Sequence, residues 1–412
     1  MSNIRHTNAL VLSQNYHPEL IGSGPYLTDM AEHMVAHGMT VDVVTNRPNY
    51  PEGHVPTNYR HGQKDFEIRN GVTIHRLKPT LATGRGAKAR LIAECMFLLR
   101  GLRALMSLRR RNRTVVVSLC PSIFTVLLGW VAAGRRASHV ALVHDIQSGL
   151  AAGLSFLGDG RLLRWLQQLE AFALNRADIV LVLSEQMQAQ LRAIGVRSRI
   201  EILPIWIDTQ KVLPKPVPPS NEITLMYSGN FGRKQHLSQI IEMAAGLQRK
   251  RNGIRIVLRG QGGERLALEQ KVRELGLGNV SFGSLVSPEE LADSLGQADI
   301  HIVSQHPDIA DFAVPSKVYT IMAAGRPFVA AAPEASLLWQ MSDRSRAFIC
   351  VPSGDVEALI ETVDGLARDR KARTRLGENG RNYVVHNHDR NRVLDDFMGL
   401  LDTEVGARLD AN

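Results

Sequence analysis

The sequence LMYSGNFGRKQHLSQIIEMAA, residues 225–245, starts as a buried strand, is interrupted by Gly229 and Gly232, shows Arg233 and Lys234, and continues as an amphipathic helix. A strand, a glycine-rich turn and a helix N-terminus together form an anion site, because unsatisfied backbone N–H groups and the helix dipole point at the bound group. The glycines allow close backbone approach, and the two cations can neutralise a diphosphate. An ordinary strand-turn-helix with solvated cations fits the local sequence equally well.

Short apolar runs alternate with helical patterns along the whole chain. Continuous apolar strands separated by helices are typical of parallel sheets that are covered on both faces. The pattern restarts after the Pro-rich segment VLPKPVPPSNE (212–222), which has the composition of a stiff, extended linker. The runs lie at 9–14, 40–46, 114–120, 139–146 and 178–185 before that segment and at 223–229, 254–260, 279–285, 298–305 and 327–333 after it.

These patterns predict an α/β protein with two doubly wound, Rossmann-like domains that face a central crevice. We expect an N-terminal domain at 1–208, a hinge linker at 209–222, a second domain at 223–388 and a C-terminal closing helix at 389–412. Ligands of such sheets bind beyond the carboxyl ends of the strands. Polar residues that follow the strands are therefore the first candidates for a site.

The composition of the 412 residues is that of a soluble globular protein. The cysteines Cys95, Cys120 and Cys350 show no paired or ligand-like spacing, so neither a disulfide framework nor a zinc site is predicted. The histidines of HNH (386–388) are interpreted as surface residues. No run reaches the roughly 20 apolar residues that span a bilayer, and the longest candidate is 123–133. A reducing cytosol fits these features.

A second stretch, ADFAVPSKVYTIMAAGRPFVAA (310–331), predicts a helix that begins near Ser316, with Pro315 in its first turn. Together with residues 227–235 it resembles the nucleotide-sugar-binding domain of the retaining glycosyltransferases of family 4, which have the GT-B fold. The likeness extends over most of the chain, through 258–270, 279–305 and 375–384. The bacterial envelope-polysaccharide, O-antigen and colanic-acid-type members are closest in character.

The resemblance implies a role for each residue of the two motifs. Lys234 matches the lysine that contacts the donor diphosphate, and Arg233 is expected to share that role because Asn230 stands where many relatives have arginine. The N-terminus of the second helix is expected to hold the distal phosphate through backbone N–H groups, without a metal. The implied donor-binding residues here are Gly229, Asn230, Gly232, Pro315, Ser316 and Lys317.

The usual family signature, two glutamates separated by seven residues, is missing. Thr320 occupies the second position, which binds the ribose in relatives, and Phe312 occupies the first, flanked by Asp308 and Asp311. We expect the Thr320 hydroxyl to meet the ribose of the donor.

Two features of the first half of the chain match the family as well. Gly22, Ser23 and Gly24 lie where the family's glycine-rich loop approaches the donor phosphates, although a plain turn before a helix is the alternative. His144 and Asp145 end a strand, where polar residues suit a site. The resemblance implies that His144 touches the transferred sugar and that Asp145 belongs to the acceptor side, whereas a lone histidine is more often structural.

The excess of positive charge, +9 overall, is concentrated between residues 85 and 113, where nine cations face Glu94 alone. Leu91, Cys95, Leu98, Leu102 and Met106 fall on one helical stripe there, widened by Ile92, Leu99 and Leu105. A basic amphipathic helix suits an anionic lipid surface. The alternative is that the stripe covers the N-terminal sheet and leaves RRRNR (109–113) as a solvated connection.

The sequence thus predicts a retaining, metal-independent hexosyltransferase that needs no cofactor. It would move a sugar from a UDP- or GDP-linked donor to a lipid-linked glycan acceptor in bacterial surface polysaccharide biosynthesis. We expect a cytoplasmic protein, peripheral on the inner face of the cytoplasmic membrane, with no nucleic-acid partner. Two alternatives remain: a degenerate, non-catalytic homologue that assists polysaccharide assembly, favoured by the missing glutamates, and a sugar-nucleotide epimerase, which also uses two such domains.

Overall fold

The computed structural model describes residues 7–19, 22–49, 54–80, 87–108, 113–120, 122–146, 160–216, 220, 222–250, 253–287, 290–307 and 315–410. The chain divides into two compact units, residues 1–204 with 392–412 and residues 205–391. Each unit is a sheet with helices packed against it. Asp308, Asp311 and Phe312, together with most of RRRNR (109–113), lie outside the described residues.

The first unit has an eight-stranded sheet in the order β3-β4-β2-β1-β5-β6-β7-β8. All neighbouring strands are parallel except β3 and β4, which form an antiparallel hairpin. Strands β5 and β6 are buried along their whole length, as expected where both faces of a sheet are covered. The strands are β1 Asn8–Leu12, β2 Thr40–Asn46, β3 Phe66–Arg69, β4 Val72–Leu77, β5 Val115–Cys120, β6 Ser138–Val143, β7 Ile179–Val182 and β8 Arg199–Ile202.

Helices connect these strands. Ser184 caps one of them, because its hydroxyl accepts a hydrogen bond from the Met187 N–H. The helices are α1 Gly24–Ala36, α2 Thr57–Arg60, α3 Ala87–Ser107, α4 Ile123–Ala133, α5 Gly160–Leu174 and α6 Glu185–Ala193.

The second unit has a six-stranded parallel sheet in the order β11-β10-β9-β12-β13-β14. The strands are β9 Ile223–Asn230, β10 Ile254–Gln261, β11 Val280–Gly283, β12 Ile300–Ser304, β13 Phe328–Ala332 and β14 Ile349–Pro352. The chain runs outward from β9 to β11 and then returns to build the other half from β12. The switch point of this Rossmann order, where ligands usually bind, lies at the carboxyl ends of β9 and β12.

The remaining helices are α7 Ser238–Lys250, α8 Arg265–Glu274, α9 Leu291–Gly296, α10 Lys317–Ala323, α11 Leu337–Ser345, α12 Val356–Arg368, α13 Arg370–Asn387 and α14 Arg390–Asp410. The closing helix that we expected is α14, and from Arg392 onward it belongs to the first unit. Its residues Val393, Phe397 and Leu401 are buried, in agreement with their helical spacing.

Helix α3 meets the protein with only part of the stripe that the sequence suggested, because Leu98 and Leu102 are half-buried against the core and Leu105 is buried in it. Phe97 and Leu105 are buried in a core that includes residues of β1, β5 and α4. Leu91 and Met106, the two ends of the expected stripe, are exposed instead. The helix therefore covers the sheet with Phe97 and one side of the stripe, and the other side of the stripe is exposed. It also leaves apolar side chains in solvent.

No helix in the described ranges combines the length and the apolar character that a membrane span requires.

Candidate functional site

The carboxyl end of β9 is fixed by hydrogen bonds and packs closely against β10. The Tyr227 hydroxyl donates a 2.7 Å hydrogen bond to the Asn230 carbonyl, and the Phe231 N–H donates one of 2.8 Å to the Gln261 carbonyl. A Cβ atom on Gly260 would lie 1.9 Å from the Gly229 carbonyl oxygen. The carboxyl ends of β9 and β10 can approach this closely at Gly260 only because glycine has no side chain.

Arg233 and Lys234 do not lie on the helix that follows. They form a short 3₁₀ turn, Arg233–Gln235, and α7 begins only at Ser238. Both cations therefore lie between the strand and the amphipathic helix. His236, in the left-handed conformation with φ 44°, separates the turn from α7.

The 3₁₀ turn is fixed by the end of β12. The Lys234 carbonyl accepts a 2.8 Å hydrogen bond from the His306 N–H, and the Ser304 hydroxyl donates to the Gln235 carbonyl. The side chains of Arg233 and Lys234 are exposed, and within the described ranges neither forms an ion pair. Both cations thus stand at the switch point with their charges available to an anion.

Lys317, the first residue of α10, contributes a third cation. Its Nζ atom lies 4.0 Å from the centroid of the Tyr227 ring and 3.6 Å from the position of a Cβ atom on Gly229. The residue as a whole keeps some exposure, but its ammonium group is enclosed by protein, and this burial lowers the pKa of Lys317 to about 7. Burial disfavours the charged ammonium, and a bound anion would favour it.

The beginning of α10 offers fewer backbone donors than the resemblance implied. The N–H groups of Val318 and Tyr319 already donate to the carbonyls of Pro315 and Ser316, at 3.1 and 3.2 Å. Thr320 lies half-buried one turn into this helix, and its contact with a ribose stays a prediction. The side chain of Lys317, for which the resemblance implied only a backbone role, is the feature that sequence reasoning missed.

In the first unit, the glycine-rich loop and His144 belong to neighbouring elements. Gly22 has φ 73°, a conformation that favours glycine, and Ser23 is the residue before α1, which starts at Gly24. The ring of Tyr26, on the first turn of α1, meets the His144 ring edge-on at a centroid distance of 5.7 Å. The structure thus brings the two predicted features together through Tyr26, which the sequence did not single out.

His144 directly follows β6, at the carboxyl edge of the sheet. Burial lowers the pKa of His144 to about 4, so the imidazole is neutral at pH 7. Its Nε2 atom is buried and has no hydrogen-bond partner among the described residues. A buried polar atom without a partner costs free energy, and such atoms are common where a ligand completes the site. Asp145 comes next, half-buried at the same edge.

The HNH segment differs from the expectation that it is surface. His386 is exposed, but His388 is buried, hydrogen-bonded through Nδ1 to the Ile205 carbonyl at 2.8 Å and packed against the rings of Tyr319 and Tyr383. Interpreting His388 as a surface residue is therefore wrong. The histidine fills a core position in the second unit.

Two doubly wound sheets with a cationic site at a switch point define the class of the protein: a two-domain α/β protein equipped to bind an anionic ligand such as a nucleotide. The profile of the glycosyl transferase 4-like domain matches residues 22–206, and that of the glycosyl transferases group 1 matches residues 208–383. The chain belongs to glycosyltransferase family 4 and has the GT-B fold.

Individual relatives agree with this assignment. The chain is 28% identical over 407 residues to WcaI of Escherichia coli, named as a colanic acid biosynthesis glycosyl transferase, covering 94% of this chain and 98% of that one. Sucrose-phosphate synthase from Thermosynechococcus elongatus shares the fold at a TM-score of 0.76 with 19% identity, over 98% of this chain and all of that one. Anabaena HepE, solved with UDP and glucose, does so at 0.69 with 14% identity, over 96% and 99%.

Proposed function

We propose that the protein is a retaining, metal-independent hexosyltransferase of bacterial surface polysaccharide biosynthesis. The donor is a UDP- or GDP-linked sugar, and the acceptor is a lipid-linked glycan. Two comparisons support this: WcaI is named for colanic acid biosynthesis, and HepE has been solved with UDP and glucose. The second unit takes the nucleotide, and the first unit takes the acceptor.

The observation that carries the proposal is the enclosed ammonium group of Lys317 beside Gly229. A buried cation is costly unless an anion pairs with it. The exposed cations Arg233 and Lys234 lie on the turn that follows the same strand. A diphosphate bound there would contact three cations and could approach the glycine backbone closely.

In the proposed reaction, the bond between the sugar and the diphosphate oxygen breaks, and the acceptor oxygen bonds to the same sugar carbon on the same face. The acceptor proton leaves with the diphosphate. Negative charge builds up on the leaving diphosphate, and Lys317, Lys234 and Arg233 stabilise it, which is where preorganised charge contributes most. We assign no nucleophile of the protein.

The first unit supplies the contact to the sugar and the acceptor. The neutral imidazole of His144, with its buried Nε2 atom, is suited to a hydrogen bond with a sugar hydroxyl. Asp145, the next residue, is placed on the acceptor side. The loop Gly22–Gly24 starts α1, whose Tyr26 packs against His144, so the loop and the histidine are positioned together.

Helix α3 is the proposed membrane-facing surface. Leu91, Ile92, Leu99 and Met106 are each more than half exposed. On the same helix Arg103 is exposed, and Arg100, Arg103 and Lys78 line a shallow groove beside Met106. Apolar side chains next to cations fit the boundary between acyl chains and anionic headgroups, where each cation contributes about 1 kcal/mol. A protein docked there on the inner face of the membrane meets a lipid-linked acceptor.

The experiment is a thermal-shift screen with nucleoside diphosphates, followed by a transfer assay. A ligand at 100 times its Kd stabilises the folded protein by about 2.7 kcal/mol, so the correct nucleotide raises the melting temperature measurably. Its sugar-linked form is then incubated with a bacterial lipid extract, and labelled sugar should enter the lipid fraction. Release of a new nucleotide sugar without acceptor would instead show an epimerase. Absence of any response to UDP, GDP or their sugars would contradict the proposal.

A further inference from the structure

Two histidines of α1 and one carboxylate of α14 form a cluster that includes none of the candidate site residues described above. His33 and His37 are one helical turn apart, so their side chains share a face of α1. The Nε2 atom of His33 lies 2.8 Å from Oδ1 of Asp395, and the Nε2 atom of His37 lies 3.5 Å from the same oxygen. All three ligand-type atoms lie within 4.8 Å of one another.

The hydrogen bond of the second ring nitrogen fixes the tautomer of His37. Its Nδ1 atom lies 2.9 Å from the His33 carbonyl oxygen, which can only accept, so Nδ1 carries the hydrogen. In the neutral ring the Nε2 atom is then unprotonated, and its lone pair faces the Asp395 carboxylate. The Nε2 atom of His37 and the Oδ1 atom of Asp395 would repel each other at this distance. The contact is favourable only if a proton on Nε2 or a cation between the two atoms supplies positive charge. A histidine oriented in this way, through its other nitrogen and a backbone carbonyl, is the usual form of a metal-ligating histidine.

The spacing of the three atoms suits a small tetrahedral cation. Zinc bonds of 2.0–2.2 Å place neighbouring ligand atoms about 3.3 Å apart, close to the distance between His37 and Asp395. The shorter distance from His33 to Asp395 can relax, because the Asp395 side chain is 59% exposed. Two imidazoles and one carboxylate are a common zinc ligand set that leaves a fourth position to water.

We propose that His33, His37 and Asp395 form a zinc site that fastens the C-terminal helix α14 to α1. The ligands are separated by more than 350 residues, so one ion ties the end of the chain to the helix that begins at the glycine-rich loop. At its far end α14 is held by an ion pair of 2.8 Å between Arg408 and Asp178. The zinc provides a second attachment near its start. The site is structural, since no substrate-binding residue named above belongs to it.

Calorimetric titration of chelator-treated, tag-free protein with ZnCl₂ tests the site. We expect one ion per chain, and binding at least tenfold weaker in the variants His37→Gln and Asp395→Asn. The matched control is His61→Gln, because His61 is an exposed histidine of the same unit outside the cluster, and it should bind zinc as the native protein does. Equal zinc affinity of the native protein and His37→Gln would overturn the proposal.

Two further measurements keep the test independent of folding defects. Asp395→Asn changes one exposed atom only, so it carries the test if His37→Gln does not fold, and undiminished binding by it would exclude the carboxylate as a ligand. Zinc should also raise the melting temperature and slow proteolytic removal of α14 in the native protein but not in the variants. An unchanged melting temperature with zinc bound would exclude the fastening role.

Discussion

The ammonium group of Lys317 lies 4.0 Å from the centroid of the Tyr227 ring, enclosed by protein at the carboxyl end of β9. A cation over the face of an aromatic ring is stabilised by the ring quadrupole. This attraction does not offset the loss of water, because burial lowers the pKa of Lys317 to about 7. The same burial, with a contribution from Glu264, raises the pKa of Tyr227 above its ordinary value. The lysine is therefore only partly protonated near pH 7, and a bound anion would favour its charged form.

Nucleotide binding should take up a proton when the pH lies above 7. The pKa of Lys317 is about 7 in the free protein, and a bound diphosphate raises it, so the lysine becomes protonated on binding. Calorimetry at pH 8 in buffers of different ionisation enthalpy measures this uptake. Lys317→Met should abolish it and weaken binding by about 1.5–3 kcal/mol. The control Lys250→Met, at an exposed lysine paired with Glu357, should change neither. Proton uptake that persists in Lys317→Met would contradict this assignment.

The same substitution should stabilise the protein in the absence of ligand. The pKa of Lys317 is lower in the folded state, so the unfolded chain binds more protons above pH 7 and stability increases as the pH rises from about 7 towards 10.5. Burial of the lysine lowers the free energy of unfolding most below pH 7, where the lysine is charged. Lys317→Met removes this cost, and its melting temperature should exceed that of the native protein at pH 7 by more than at pH 10. If the difference in melting temperature between Lys317→Met and the native protein does not vary with pH, the cost of burying a charged lysine is not its cause.

The exposed cations of the 3₁₀ turn should act on the donor without supporting the fold. Lys234→Ala should weaken nucleoside diphosphate binding and slow transfer, each by about 1.5–3 kcal/mol, the value of a charged hydrogen bond. Its melting temperature should stay unchanged, because the side chain is exposed. Arg233→Ala tests whether Arg233 shares the role. If donor affinity and rate are unchanged in both variants, the diphosphate lies elsewhere.

The sequence pattern predicts most strands of this fold, and the strands that it does not predict have physical reasons for that. Each of the ten apolar runs contains a strand, because most of these strands are covered on both faces and their apolar runs are continuous. Four strands, β3, β4, β8 and β14, were missed. Of these, β3, β8 and β14 lie at sheet edges, and β3 and β8 carry charged residues. The β3–β4 hairpin had a clear signal, Asn70-Gly71, whose φ angles of 47° and 80° match a two-residue turn.

Site residues could be predicted where their position depends on neighbouring residues in the sequence. They could not be predicted where it depends on contacts with residues distant in the chain. Arg233 and Lys234 follow an apolar strand and glycines, so their place at the end of β9 was expected. The burial of Lys317 depends on Tyr227, ninety residues earlier in the chain, and the burial of His388 depends on a carbonyl of Ile205. No spacing in a single sequence reports such contacts.

His144 should affect the transferred sugar more than the nucleotide. His144→Ala removes the imidazole whose Nε2 atom lacks a hydrogen-bond partner among the described residues, so kcat should fall while the Kd for nucleoside diphosphate stays the same. An exposed histidine of the same unit, His61, provides the control as His61→Ala. Steady-state kinetics together with calorimetry separate the two effects. A variant with full turnover would return His144 to a purely structural role.

Helix α3 should bind anionic membranes through its exposed face. In liposome flotation the native protein should move with vesicles that contain anionic lipid, and less so in high salt, because charge attraction to headgroups is screened. Replacement of Leu91, Leu99 and Met106 by serine should release the protein without loss of stability, since these side chains are exposed. Arg100→Gln with Arg103→Gln should weaken binding in low salt in particular.

The control is Leu266→Ser, at an exposed leucine of α8 in the second unit, which should float as the native protein does. Both sets should keep nucleoside diphosphate affinity, because the cations that bind the diphosphate belong to the second unit. A native protein that does not bind anionic vesicles even in low salt would contradict the membrane-facing role of α3, and its acceptor would then have to be sought in solution.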